Sequence, residues 1–409
     1  MSEAEPGTAP VRPMSGALVL LFAMACGTMV ANIYYAQTLV ERIGPELGLS
    51  DGVSGAITTL TQLGYGVGLF FIVPLGDLFE NRRLALLTLG GTILGALGIA
   101  VSANAATFLA ASMVMGICAT GAQVLLPLAT HLTPQDRQGA VIGQVMSGLL
   151  AGIMLARPMA SFLTAWLGWR AVFVVSAGLM AAIGIALVLA CPPRRPEGER
   201  HYGRLLRSTL GQFAYHRRLR LRAFYQAMLF AAFNLFWTAA PLVLIHGFGL
   251  TQHGVALFAL AGAGGALAAP LAGSLADKGH GYALTFAALG IAALLFLACD
   301  LLVAGGSLIG FTLAAFLLDG AVQVNQITGQ RIIFGISADS RARVNAAYMT
   351  AMFVIGASGS LLGTASYAHG GWRGAAVTGA ILAGVAFAAF ILFDRGASGS
   401  EGSRTRKPA

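Results

Sequence analysis

Twelve stretches of this chain run for about 20 residues or more with almost no charge, and nothing constrains its fold more. They lie near residues 15-37, 53-75, 84-103, 106-130, 140-164, 171-191, 221-245, 252-275, 282-303, 306-328, 345-367 and 374-393. A helix rises about 1.5 Å per residue and needs roughly 20 apolar residues to cross a hydrocarbon core about 30 Å thick, so each stretch is long enough to span a bilayer. The stretches are too long for barrel strands and lack period-two alternation, and only helices or closed barrels satisfy their backbone in lipid. Composition agrees: 57 % of residues are hydrophobic, 10 % are charged, and 54 are glycine, far from the soluble range. The expectation is an all-α membrane protein with twelve transmembrane helices. The first stretch is too long for a cleaved signal peptide, ends in the polar "NIYYAQ", and is followed by no small-residue cleavage site.

Basic residues set the orientation. If the N-terminus is cytoplasmic, all 25 lysines and arginines except Arg42, Arg157, Arg170 and Arg373 fall in the cytoplasmic segments, as the positive-inside rule requires. The net charge of +9 therefore reports orientation in a membrane with both termini cytoplasmic, and no nucleic acid partner is expected. Cys26, Cys118, Cys191 and Cys299 lie in or beside apolar segments without metal spacing, so neither a disulfide framework nor a metal site is expected.

The chain repeats itself. Shifting it by about 200 residues aligns Asp77 with Asp277, "GAQV" at 121 with "GAVQV" at 320, Arg137 with Arg341, and "GWR" at 168 with "GWR" at 371. Two pseudo-symmetric six-helix bundles follow, at 15-191 and 221-393. A cytoplasmic linker at 192-220 joins them, and short cytoplasmic tails at 1-14 and 394-409 flank them. Parallel repeats of six spans are a layout of alternating-access carriers, whose substrate site lies between the halves near the midplane.

At this point the sequence resembles the major facilitator superfamily. "GSLADKGHG" matches that family's loop motif between the second and third helix of a half through Gly273, Asp277, Lys278 and Gly279. The first copy, "PLGDLFENRR", keeps Gly76, Asp77, Arg82 and Arg83 but places Leu78 and Glu80 where the family usually has a cation and a glycine. With "ANIYYAQ", "TQLGYGVGL" and "GWR", these look like a bacterial branch of predicted drug or sugar efflux permeases. Read from the residues, Asp77 can cap the adjoining helix and pair with Arg82 or Arg83. By resemblance, Gly76, Asp77, Arg82, Arg83, Gly273, Asp277 and Lys278 form a cytoplasmic latch between the halves that breaks when the carrier opens inward. The plainer alternative is a positive-inside anchor with a solvated ion pair.

Two charges lie inside spans, where their cost makes each a functional candidate. Asp319, near the middle of the tenth helix, is the candidate proton carrier. Arg157 sits in the fifth helix, roughly 7 Å outward of its middle by the helical rise; Pro158 follows it and should kink the helix. The alternatives are a neutral packing aspartate and a static or snorkelling arginine. Gly148, Gly152 and the run from Gly356 to Gly363 permit close helix approach, and by family analogy the fifth helix packs on the eighth. Efflux members usually read G-P where this chain has Arg157-Pro158. The resemblance also implies that the first, fourth, seventh and tenth helices line a central cavity. Their polar residues Asn32, Tyr35, Gln123, Asn234, Trp237, Thr238 and Gln323, with Arg157, are the candidate cavity lining.

These readings give a secondary active transporter, not an enzyme, working by alternating access on a small-molecule substrate and protons in the lipid bilayer. The first reading is proton-coupled efflux by antiport of small organic compounds such as drugs or sugars. The alternative is a proton symporter importing a small metabolite such as an organic acid, with Arg157 clamping its carboxylate. There is no nucleophile elbow or G-x-x-x-x-G-K-[ST] loop, no cofactor is expected, and the protein is expected to act as a monomer.

Overall fold

In the computed structural model, which describes residues 14–196, 201–336 and 341–394, helices follow one another almost without pause. The first bundle holds α1 (Gly16–Ala31), α2 (Val40–Glu46), α3 (Ala56–Phe71), α4 (Asn81–Ala100), α5 (Ala105–Ala119), α6 (Ala122–His131), α7 (Gln138–Leu167) and α8 (Trp169–Ala190). After α9 (Tyr202–Tyr215), the second bundle holds α10 (Arg217–His246), α11 (Gln252–Ala263), α12 (Ala269–Leu275), α13 (Gly281–Ala304), α14 (Leu308–Phe334), α15 (Arg341–Gly356) and α16 (Ser358–Phe393). Among the described residues nine continuous helical stretches are long and apolar enough to cross a membrane. Twelve passes result because α1 is short but continues through a break into α2, α11 and α12 form another broken pass, and the 53-residue stretch Arg341–Phe393 folds back at Gly370 and Gly371. The two tails, residues 197–200 and residues 337–340 lie outside the described residues, apart from positions 14 and 394 at the edges of the tails.

Local signals explain several starts. Ser15 accepts a hydrogen bond from the Leu18 amide, Asn104 caps α5 through the Thr107 amide, and Ser307 caps α14 through the Gly310 amide, each filling a donor site that a helix start leaves open. The turn at the repeated "GWR" needs no loop. Gly168 (φ 81°) and Gly371 (φ 58°) occupy the left-handed region, which an L side chain reaches only under strain. Trp169 Nε1 then donates to Glu46 and Arg170 Nη2 to the Ser102 carbonyl, while in the second bundle Trp372 Nε1 donates to the Cys299 carbonyl and Arg373 stands 3.9 Å from Asp300. Arg170 and Trp372 thus tie the start of a bundle's last helix to the end of its third, while Trp169 ties it to the end of the first.

Glycine faces set the packing inside each bundle. A Cβ on Gly152 would stand 2.2 Å from the Gly27 carbonyl oxygen, and one on Gly359 would stand 1.9 Å from that of Ala231. The glycines of the fifth and eleventh passes therefore serve contacts with the first and seventh in their own bundle. The fifth pass also packs on the eighth across the boundary, through α7 and α11.

Two expectations need correction, and the linker adds a helix. The first span is not one helix over 15-37: α1 stops at Ala31, Tyr35–Thr38 forms a tighter 3-10 turn, and α2 resumes. Polar side chains at the break bond outward to other helices. The linker contains α9, whose buried or half-buried Leu205, Leu206, Thr209 and Phe213 recur at helical spacing, and whose Tyr202 hydroxyl donates to the Phe71 carbonyl. Asp77 does not cap α4: the preceding position is Glu80, which pairs with Arg83 at 2.9 Å.

Candidate functional site

Arg157 is 2 % exposed in α7, at the boundary between the bundles. Its Nε donates to Gln37 Oε1 at 2.8 Å, and its guanidinium lies over the rings of Trp237 (4.6 Å), Phe233 (4.9 Å) and Tyr34 (5.0 Å). The negative ring faces hold the cation where water is excluded, each such contact being worth about 2 kcal/mol or more when desolvated. Two of the three rings belong to α10 in the other bundle. Gln37 is placed by the break after α1. Its neighbour Thr38 accepts from the Ser161 hydroxyl at 3.0 Å, tying the turn to the same face of α7.

A row of amides carries the site across the boundary. Gln37 Nε2 and Gln62 Nε2 both donate to Asn234 Oδ1, at 3.1 and 2.9 Å, and Asn234 Nδ2 donates to the Gly356 carbonyl at 3.0 Å. Arg157 Nη2, Trp237 Nε1 and Gln62 Oε1 are buried and have no hydrogen-bond partner in the protein. Unmet groups of that kind are costly in a dry interior and mark a place for a ligand or water.

Asp319, 5 % exposed, approaches from α14. The 3-10 turn Gly264–Ala268 presses against it, for a Cβ on Gly265 would stand 2.2 Å from the Phe316 carbonyl oxygen and 2.9 Å from Asp319 Cβ. Gly262, one turn earlier, abuts the Trp237 ring in the same way, at 2.6 Å. Asp319 and Arg157 lie in each other's electrostatic field, yet make no ion pair within the 4 Å of a direct contact.

The candidate residues are thus divided. Arg157, Asn234, Trp237 and Asp319 come together. Asn32 instead turns into the first bundle, accepting from Ser176 at 3.0 Å and donating to the Thr28 carbonyl at 2.8 Å; Tyr35 packs edge-on against Phe173 in α8. Thr238 donates to Ser360 inside the second bundle, and Gln123 donates to the Tyr65 hydroxyl. Gln323 is half-buried on α14. Sequence reasoning missed Tyr34, Gln37, Gln62 and Phe233. The signal available was "ANIYYAQT" itself, where polar and aromatic side chains crowd the end of an apolar run.

Among the bonds of the described residues, direct side-chain bonds between the bundles gather at the site and on the face opposite the chain termini. There Glu41 meets His246 at 2.7 Å, Trp166 Nε1 donates to His253 Nε2 at 2.7 Å, Thr59 donates to the Ala357 carbonyl at 2.9 Å, and the Gly55 amide donates to Thr364 at 3.0 Å. On the termini face, several charged loop residues bond within the first bundle, within the second, or to the linker. Asp277 pairs with Arg331 at 3.1 Å, Arg82 donates to the Val188 carbonyl at 2.5 Å, and Arg194 donates to Asn81 at 3.0 Å. Asp77 and Lys278 are exposed.

Two six-helix bundles joined by one linker, with a buried polar site between them, define a membrane carrier. The chain belongs to the Major Facilitator Superfamily, whose model matches residues 17–318 and 222–408. It is 40 % identical over 382 residues to the uncharacterized transporter YgaY of Escherichia coli O157:H7, covering 92 % of this chain and 95 % of that one. It is 31 % identical over 268 residues to a chloramphenicol resistance protein of Streptomyces lividans, covering 63 % and 66 % of the two chains. Among solved structures, it superposes with a TM-score of 0.74 on a bacterial homologue of the human lysosomal transporter Spinster, at 16 % identity and covering 95 % and 98 % of the two chains; this shows the fold.

Proposed function

We propose that this transporter is a proton-coupled secondary carrier that exports small organic compounds by alternating access, with Asp319 binding the proton. The observation that carries the reading is the buried arginine and buried aspartate placed on opposite bundles without a direct ion pair. A carboxylate near a cation is stabilised when charged and loses that attraction when protonated, so its proton changes the force between two bodies that must move against each other. The side-chain bonds on the far face fit a carrier closed there and loaded from the termini face. The positive-inside distribution supports a cytoplasmic location for that face. A relative that confers chloramphenicol resistance fits outward transport of an amphipathic solute. The test is solute-induced proton movement in inside-out vesicles: export by antiport releases protons from the vesicle lumen as solute enters it. Asp319→Asn should abolish uphill transport while exchange of labelled for unlabelled solute survives. Uphill transport by Asp319→Asn with normal pH dependence would refute the assignment.

A second reading, import of an organic acid with a proton, draws on the free Nη2 of Arg157, which suits a carboxylate. It gives proton and solute moving the same way in the same assay.

A further inference from the structure

The linker helix α9 is held at the edge of the membrane by both of its ends. At its start, the Tyr202 hydroxyl donates at 2.8 Å to the carbonyl of Phe71, the last residue of α3, which sets the α9 backbone one tyrosine side chain beyond the end of that helix. At its finish, only His216 separates Tyr215 from α10. The long apolar run of α10 opens at Leu221, so Tyr215 stands about 9 Å from it at 1.5 Å per residue. Arg217 Nη2 donates at 3.1 Å to the Phe393 carbonyl, at the end of α16. A helix fixed in this way lies along the headgroup layer of the leaflet on the termini face.

Its two sides differ in what covers them. Leu205, Leu206, Thr209 and Phe213 face the protein, where α9 packs on α15, α10 and the 3-10 turn Val73–Asp77; Phe213 joins a buried patch with Leu219, Val344 and Tyr348. The opposite side carries Gly203, Arg204, Arg207, Leu210, Ala214 and Tyr215, all exposed. At 3.6 residues per turn these fill one arc of the helix. Leu210 (57 % exposed) lies at one edge of the arc, Tyr215 (83 %) at the other, and the two arginines between them. From His201 to Arg222 the chain has six arginines and no acidic residue, and the guanidinium groups of Arg204, Arg207 and Arg218 meet no acceptor among the described residues. Water gains nothing from an exposed leucine and tyrosine, whereas at a lipid interface such edges sink toward the acyl boundary and the arginines reach the phosphates.

We infer that the outward side of α9 is a binding surface for anionic phospholipid. Arg204 and Arg207 each take a headgroup phosphate, which the forked N–H donors of a guanidinium fit through two oxygens, while Leu210 and Tyr215 enter the acyl boundary on either side. A zwitterionic headgroup offers the same phosphate with its own cation beside it, so the surface selects lipids of net negative charge.

The test uses the full chain with Ala214→Cys in a Cys118→Ala background, the other native cysteines being buried. The new thiol, on the outward side of α9, is labelled with bimane and the protein is placed in phosphatidylcholine nanodiscs. Trace lipids carrying a nitroxide high on one acyl chain quench the label according to their local concentration. Each surface cation favours an anionic lipid by about fivefold, so nitroxide phosphatidylglycerol should quench about tenfold or more as effectively as nitroxide phosphatidylcholine at equal mole fraction. Salt at about 1 M, where the screening length falls to about 3 Å, should shrink that ratio toward one. Arg204→Gln with Arg207→Gln should do the same without salt, while Arg204→Lys with Arg207→Lys, which keeps the charge, should retain most of the ratio. Leu210→Ser with Tyr215→Ser should lower quenching by both lipids and leave their ratio. Equal quenching by the two lipids in the parent protein, or a ratio that survives loss of both arginines, would overturn the inference. So would an absence of quenching by either lipid, which would place this side of α9 in water.

Discussion

The arginine in α7 was visible in the sequence as a charge at membrane depth, and so was the aspartate in α14. What could not be read was which side chains would meet them. Gln37 reads as the polar end of a first helix, yet its carbonyl oxygen is the hydrogen-bonding partner of Arg157 Nε, because the chain leaves helical geometry at Tyr35–Thr38 and turns that side chain across the boundary. Asn32, an equally polar residue five positions earlier, still belongs to the helical register and faces Ser176. A hydrogen bond to a charged group is worth about 1.5–3 kcal/mol, so Gln37→Leu should lower transport about tenfold or more while leaving membrane insertion unchanged. Initial transport rates normalised to surface-exposed protein would check this; a variant with wild-type rates would show that the rings alone position the guanidinium.

At the scale of elements, the count of spans and their repeat were legible because length and hydropathy are intrinsic to a segment. Breaks within spans were not, since a 3-10 turn and an α-helix share the same apolar composition. The glycine contacts make a sharp test. Gly359→Leu places a side chain against the Ala231 backbone, where even a Cβ stands 1.9 Å away, whereas Gly178→Leu meets open space. The first should lower the thermal unfolding temperature in detergent by several degrees or abolish expression, and the second should change it little; equal stability of the two variants would mean that the helices separate without loss.

The corner at Glu46 is also sensitive to acid. The Trp169 indole, followed by the Arg170 guanidinium, holds the Glu46 carboxyl below the usual carboxylate range. Because the folded state favours the charged form, its stabilisation is present above the ordinary carboxylate value and fades as pH falls through the lowered one. The carboxylate is half exposed, so the gain is at most about 1 kcal/mol. Wild type should therefore exceed Glu46→Gln in unfolding temperature at pH 7, with the difference closing toward pH 3.

For the whole molecule, the far-face bonds predict a conformational lock. Glu41 and His246 face each other from different bundles. The four native cysteines are free, and all but the half-buried Cys118 are buried. A Glu41→Cys, His246→Cys double variant should cross-link under mild oxidation, stop transport, and recover with reductant; continued transport after full cross-linking would mean that this face does not open. The loop cluster gives the complementary experiment. Asp77→Asn should leave the protein inserted and shift it toward the form closed on the far face, read as reduced labelling of cysteines placed in that vestibule. Unchanged labelling with normal transport would make Asp77 an anchor. The two-bundle plan was readable from one chain because the repeat marks its own period, but the face on which the bundles touch was not, since both faces carry the same helices.

The repeated corners have a bearing on ancestry. A left-handed glycine, an indole donating to a neighbouring element and an arginine near a carboxylate recur in both bundles, as a duplicated six-helix gene would leave them. At the offset of the second "GWR" from the first, Arg157 falls on Ser360, and at the offset linking "GAQV" to "GAVQV" Asp319 falls on Thr120. On that reading, copying preserved the fixtures that hold each half together, while the two buried charges at the boundary are not repeated: Arg157 belongs to one half and Asp319 to the other.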